Sequence, residues 1–137
     1  MIVLCVDYGE SRTGLAVCDK NEILATPLCT IHESYEKKLI QSICEKVTET
    51  HAEMIVVGKP VNMDGSEGEK AQKCTLFAQK LSAESGMECV LYDERMTTMI
   101  AHRSLNTTNT RGQKRKAVVD AVSAQIILQD FIDARKK

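Results

Sequence analysis

The apolar patterning of this 137-residue chain predicts an α/β fold: a mixed five-stranded sheet, three antiparallel strands followed by alternating β/α units, with helices on both faces. Two observations carry the prediction. Up to Ile31 the chain holds three apolar runs parted by tight polar turns, the pattern of a meander. From Ser34 onward the apolar period lengthens to three and four residues, and two short strand-like runs interrupt the helical stretches.

Ile2 to Val6 is apolar throughout and stops at Asp7 and Gly9, which reads as a buried, central strand closed by a turn. Thr13 to Cys18 is the second strand, ended by Asp19-Lys20-Asn21. Ile23 to Ile31 is the third, and Pro27 confines it to an edge or a bend. Between Ser34 and Thr50, apolar Leu39, Ile40, Ile43 and Val47 mark one face of an amphipathic helix. Met54 to Val57 is a fourth strand. A polar loop from Lys59 to Gly68 then leads into a helix over Glu69 to Ser85, with Ala71, Cys74, Phe77, Ala78 and Leu81 on one face and Gly86 at the C-cap. Cys89 to Tyr92 is the fifth strand. A short helix is expected over Thr98 to Leu105, a mobile polar stretch over Asn106 to Lys116, and a last helix over Val118 to Ala134. The length suits one domain spanning residues 1–137.

Six cysteines without a C-x-x-C pair, most of them inside apolar runs, read as reduced buried thiols of a cytoplasmic protein rather than a disulfide framework or zinc site. No run approaches the ~20 apolar residues of a membrane span, and MIVLCVDYGE lacks the basic start of a signal peptide. A net charge of −1 means that any nucleic-acid contact comes from a local patch. His32, His51 and His102 are scattered, without a metal-ligand or nucleophile pattern.

Three acids stand out. Asp7 ends the first strand, Glu94 follows the fifth, and Asp120 lies on the apolar face of the last helix, in phase with Ala124, Ile127 and Phe131. Each has a plainer reading: a strand terminator, a surface acid beside Arg95, and a first-turn acid favoured by the helix dipole. Brought together they would repel unless a divalent cation compensated them, and hard carboxylate oxygens suit Mg²⁺ or Mn²⁺. Arg111, Lys114, Arg115 and Lys116 form the one basic cluster, either a clamp on a phosphodiester backbone or a solvated loop. Arg12, in the acid–glycine turn, and Arg95, beside Glu94, offer further phosphate contacts. The amides of the glycine-rich loop after Gly58 either meet phosphate or simply connect a strand to a helix. With no Trp, three Tyr and two Phe, a base-stacking single-strand platform is not expected.

Asp7-Tyr8-Gly9 with Arg12-Thr13-Gly14, Ala25 to Leu28, Val57 to Gly68, Asp93 to Thr98, Lys114 to Lys116 and Val119-Asp120 through Gln129 together resemble the YqgF family, also called RuvX and described as Holliday junction resolvases. The resemblance runs in order along nearly the whole chain. It implies a ribonuclease H-like fold and a cytoplasmic nuclease that trims the 5′ end of pre-16S ribosomal RNA. The alternatives are a resolvase of branched DNA or a non-catalytic nucleic-acid-binding assembly factor. The family's acids fall on Asp7, Glu94 and Asp120, as catalytic groups and ligands of two Mg²⁺ or Mn²⁺ ions. Departures are Lys59, where leucine is usual, the lack of a glycine in Asn106 to Thr110, and Ser123, where RuvC-type resolvases carry a fourth acid. The sequence leaves open RNA or junction DNA, endo- or exonucleolytic cutting, and monomer or homodimer. A phosphotransferase of the actin-like or sugar-kinase type shares the strand–acid–glycine turn but needs a second lobe, for which 137 residues leave no room.

Overall fold

The computed structural model describes residues 1–62, 64–94 and 112–136, and of residues 112–120 the backbone course alone. Five strands form one sheet: β1 (Val3–Asp7), β2 (Arg12–Cys18), β3 (Ala25–His32), β4 (Met54–Lys59) and β5 (Cys89–Asp93), in the order β3-β2-β1-β4-β5. β1 pairs antiparallel with β2 and parallel with β4, so the wholly apolar strand is central, as its composition requires. β3 is an edge. Its ladder with β2 shifts register between Leu15 and Ala16, opposite Pro27, which cannot donate to a ladder.

Alternation along the strands sorts the core into two layers. Leu4, Val6, Leu15, Ile55 and Val57 point to α1 (Glu36–Thr50) and α2 (Glu69–Ser85). Val3, Cys5, Ala16, Met54 and Val56 point to α3 (Gly112–Arg135), which buries Ala124, Ile127, Leu128, Phe131 and Ile132 against them. The buried faces of α1 and α2 are those that the periodicity marks, and Gly86 caps α2 with φ +70°. No helix among the described residues is long and apolar enough to cross a membrane.

Two expectations are corrected. The third strand starts at Ala25 because the Asp19 carboxylate accepts the amides of Ile23 (2.8 Å) and Leu24 (2.9 Å), holding both in the turn with exposed side chains. The last helix starts at Gly112, six residues before Val118, so residues 112–116 of the expected polar stretch are helical. Its remainder and the expected helix over Thr98 to Leu105 lie outside the described residues.

All six cysteines are free thiols. Burial, then the charge of Glu94, pushes the Cys74 thiol up to about 11, and burial pushes Cys89 equally far. Both therefore stay protonated at neutral pH, and a thiol-alkylating reagent is expected to label them only after unfolding. Ile127 is fully buried between α3 and the sheet. Its change to Ala is expected to cost about 2–5 kcal/mol in denaturant titrations.

Candidate active site

The turn after β1 is shaped by close backbone approach. The Arg12 carbonyl oxygen lies where a Cβ on Gly9 would sit, so no other residue fits there without moving the turn. The buried Thr13 hydroxyl accepts the Gly9 amide and donates to the Gly9 carbonyl, both at 3.3 Å. This tie fixes the exit of the chain from Asp7.

Asp7 follows Val3 and Cys5 by alternation and so belongs to the sheet face that α3 covers. Its cross-strand partner is Gly14. On its other side the register Val6↔Val57 brings Gly58 next to it. Val90 and Tyr92 of β5 pack in the α3 layer, and Glu94 continues that face. A Cβ on Gly58 would stand 3.3 Å from Glu94 Cδ and 2.9 Å from Ile127 Cδ1. Gly58 is therefore the floor between the two acids: its missing side chain is the space that the Glu94 carboxyl and the α3 side chain share. The charges of Asp7 and Glu94 both raise the thiols of Cys5 and Cys74, after the larger effect of burial, so both carboxylates reach one end of the sheet.

α3 is oriented by contacts at the other end. Gln129 accepts the Ala25 amide (2.9 Å) and donates to the Ile23 carbonyl (3.0 Å), while Arg135 pairs with Glu22 (2.9 Å) near the start of β1. The N-terminal half of α3 thus runs toward the acid end, where Ala121 and Val122 border Thr30 and His32 of β3. Asp120 lies one turn before Ala124 and about 10 Å along the axis before Ile127. Eight residues beyond Gly112, it is too far into the helix for the dipole reading, because that effect fades after the first turn.

The structure brings Asp7 and Glu94 together and sets the Asp120 turn of α3 at the same end of the sheet. The side chain of Asp120 lies outside the described residues, and among those that are described no three His, Cys, Asp or Glu side chains form a metal-binding group. Arg12 opens β2 opposite His32, on the face of Asp7. Lys114, Arg115 and Lys116 stand on the first turns of α3, with side chains outside the described residues, as are Arg95 and Arg111 entirely. In the β4–α2 loop, the amides of Asn62, Gly65 and Ser66 donate to Ser66, Asn62 and Asp64, and Lys59 pairs with Glu67 at 2.7 Å. Those three amides are spent on the loop itself, which favours a connecting role over a phosphate cradle.

Sequence reasoning passed over Lys70. Its charge acts on Glu94, lowering a carboxyl that burial raises. The position directly after the glycine-rich loop, in the first turn of α2, was a usable signal.

A family model described as RuvX, Holliday junction resolvase, matches residues 1–134. Two of the most similar proteins, from Nitrosospira multiformis and Chloroflexus aurantiacus, are both named "Putative pre-16S rRNA nuclease" and are both 37% identical. They cover 96% and 98% of this chain and 87% and 88% of their own lengths. Among solved structures, Thermus thermophilus RuvC bound to a Holliday junction superposes with a TM-score of 0.61 at 15% identity, over 99% of this chain and 96% of that one. The RuvC likeness shows a ribonuclease H-like fold, as the motifs imply.

Burial raises the Glu94 carboxyl above its ordinary value of 4.5, with Lys70 opposing and Asp93 adding to the rise. In the metal-free protein the folded state therefore holds this proton more tightly than the unfolded chain. Its contribution to stability is full below about pH 4.5 and declines as pH climbs through the raised folded value. In chelator at pH 7, Glu94→Gln is expected to melt at or above the wild-type temperature, and the difference is expected to vanish near pH 4. A lower melting point at neutral pH would mean that the ionised carboxylate is a structural anchor.

Proposed function

We propose that this chain, which belongs to the RuvX family of Holliday junction resolvases, is a divalent-metal-dependent phosphodiester hydrolase that processes the 5′ end of pre-16S rRNA. What supports the reading is that the β1–β4 register sets Asp7 beside Gly58, where Glu94 also approaches, on the face that α3 crosses with Asp120 toward the same end. A half-buried Glu94 whose ionised form burial disfavours suits a site completed by a cation. Carboxylate oxygens are the donors that Mg²⁺ and Mn²⁺ prefer, so the residues present fit.

In this reading Asp7, Glu94 and Asp120 would hold the metal, which would supply Lewis-acid activation of water and compensation of charge at the phosphate and the leaving 3′ oxygen. Gly58 keeps the floor open so that the substrate backbone can approach both acids. Arg12, with Arg95, contacts the phosphate or orients an acid. Arg111, Lys114, Arg115 and Lys116 hold the backbone by charge, which makes affinity fall with salt. The names of the relatives favour pre-16S rRNA as the substrate. The family description supports a second reading, branched DNA, which would require a two-fold dimer to make paired nicks.

Wild-type protein incubated with a 5′-extended 16S precursor and Mg²⁺ or Mn²⁺ is expected to trim the RNA, and EDTA to stop it. Asp7→Asn should keep the wild-type circular dichroism spectrum and RNA affinity while cleavage falls below detection. Symmetric nicks in a four-way DNA junction, with the precursor left intact, would select the resolvase. Equal cleavage by Asp7→Asn would remove Asp7 from the chemistry, and no cleavage by wild type would make the chain a binding factor. Gly58→Ala is expected to fold, since Ile127 Cδ1 can swing aside, yet to raise the metal concentration needed for half-maximal rate by crowding Glu94.

A further inference from the structure

Beside Asp7, on the side away from α3, lies an open cavity of about 590 Å³ lined by Tyr8, Gly9, Glu10, Glu69, Lys70 and Lys73. Its volume falls within the ~300–1,000 Å³ of small-ligand pockets. Three features give it a chemistry. The Tyr8 ring is braced by Phe77, with ring centroids 4.1 Å apart and planes at 16°, so Phe77 takes one face. Tyr8 lines the cavity with the part of its ring that Phe77 leaves uncovered. Lys73 is committed to the wall: it pairs with Glu10 at 2.7 Å and Glu69 at 3.4 Å, tying the β1–β2 turn to α2. Lys70, in contrast, is exposed and makes no ion pair among the described residues. It is the cation left to meet an incoming anion, and it stands within electrostatic reach of Glu94.

A rigid aromatic surface and an uncommitted cation, on the same rim as the acid pair, are what an unpaired nucleotide requires: a π-face for its base and a positive charge for its phosphate. A base inside a duplex has both faces covered by its stacked neighbours, so this cavity discriminates in favour of single-stranded or extruded nucleotides. We propose that the cavity is a subsite for one unpaired nucleotide next to the scissile phosphate, with Tyr8 stacking on its base and Lys70 pairing with its phosphate. The proposal rests on the nuclease reading for its substrate, and it makes the single-stranded extension of a precursor RNA, rather than a fully paired arm, the segment held beside the acids. The α3 basic cluster and Lys70 then grip the strand from opposite sides of the acid pair.

The test uses a short RNA duplex with a single-stranded 5′ tail carrying 2-aminopurine, and a fully paired duplex carrying the same base internally. Both are titrated with the whole protein in Ca²⁺, following anisotropy for binding and 2-aminopurine emission for stacking. Quenching is expected for the tailed RNA alone. Tyr8→Leu should abolish the quenching and weaken tail binding roughly ten-fold. Tyr8→Phe, which keeps the ring and its brace on Phe77, should retain both. Lys70→Gln changes an exposed side chain and should fold normally. It should lower the slope of log affinity against log salt by about one, since one phosphate contact is lost. Absence of quenching with wild type, whether or not the RNA binds, or equal quenching of the paired duplex, would overturn the subsite. So would an unchanged salt slope for Lys70→Gln together with an altered pH–rate profile, which would mean that Lys70 acts only through Glu94. Quenching without cleavage in Mg²⁺ would keep the subsite and remove the nuclease reading, and cleavage without quenching would do the reverse.

Discussion

The placement of β1 between two partners constrains the rest of the molecule. A strand in the middle of a sheet with helices on both faces has no polar exit along its length, and Val3 to Val6 are accordingly apolar and fully buried. The first position that can carry charge is the one where the strand leaves the sheet, and Asp7 occupies it. Parallel pairing of β1 with β4, and of β4 with β5, then brings the C-terminal ends of three strands to one edge. A carboxylate after β5 comes to the same place as the carboxylate ending β1. The acid pair is thus a consequence of strand polarity, with Gly58 providing the room.

Stability and chemistry pull in opposite directions at this edge. Glu94 is held where burial disfavours its charge, and its neighbour Asp93 disfavours it further. A fold selected for stability alone would place an amide or an apolar residue there. The same end of the molecule is otherwise tightly tied: Thr13 to Gly9, Lys73 across to Glu10, and Lys59 to Glu67. Fixed surroundings let a strained carboxylate persist and keep it in one position for a ligand. Lys70, on α2, acts on this edge as well, its charge lowering the Glu94 carboxyl that burial raises.

α3 links the two ends of the sheet. Its C-terminal half is anchored by Gln125, Gln129 and Arg135 to the β2–β3 turn and neighbouring backbone, far from the acids. Its apolar stripe fixes its rotation against the sheet. With rotation and one end set, the turn that carries Asp120 is aimed along the sheet toward Asp7 and Glu94, although seven residues separate Asp120 from the contact of Ile127 with Gly58. The same helix phase sets Ser123, a buried polar residue, one turn from Asp120.

Much of this architecture could be read from the chain. The periods of two and of three to four residues identified all five strands and the buried faces of α1 and α2, because burial of one face is a local demand that each segment must meet with its own residues. Asp7 and Glu94 stand out in the sequence for the same reason, as charges at the ends of apolar strand runs. What the pattern could not show was anything set by a remote partner. The third strand begins at Ala25 because Asp19 captures two amides, and α3 begins at Gly112 although its first residues carry no apolar stripe. Gly58 as a floor, the stacking of Tyr8 on Phe77, and the separation of a committed Lys73 from an uncommitted Lys70 each join segments tens of residues apart. A sequence written in one dimension specifies which face of each element must be covered, whereas the distances across the sheet, and hence which side chains share a site, exist only once those faces have been packed together.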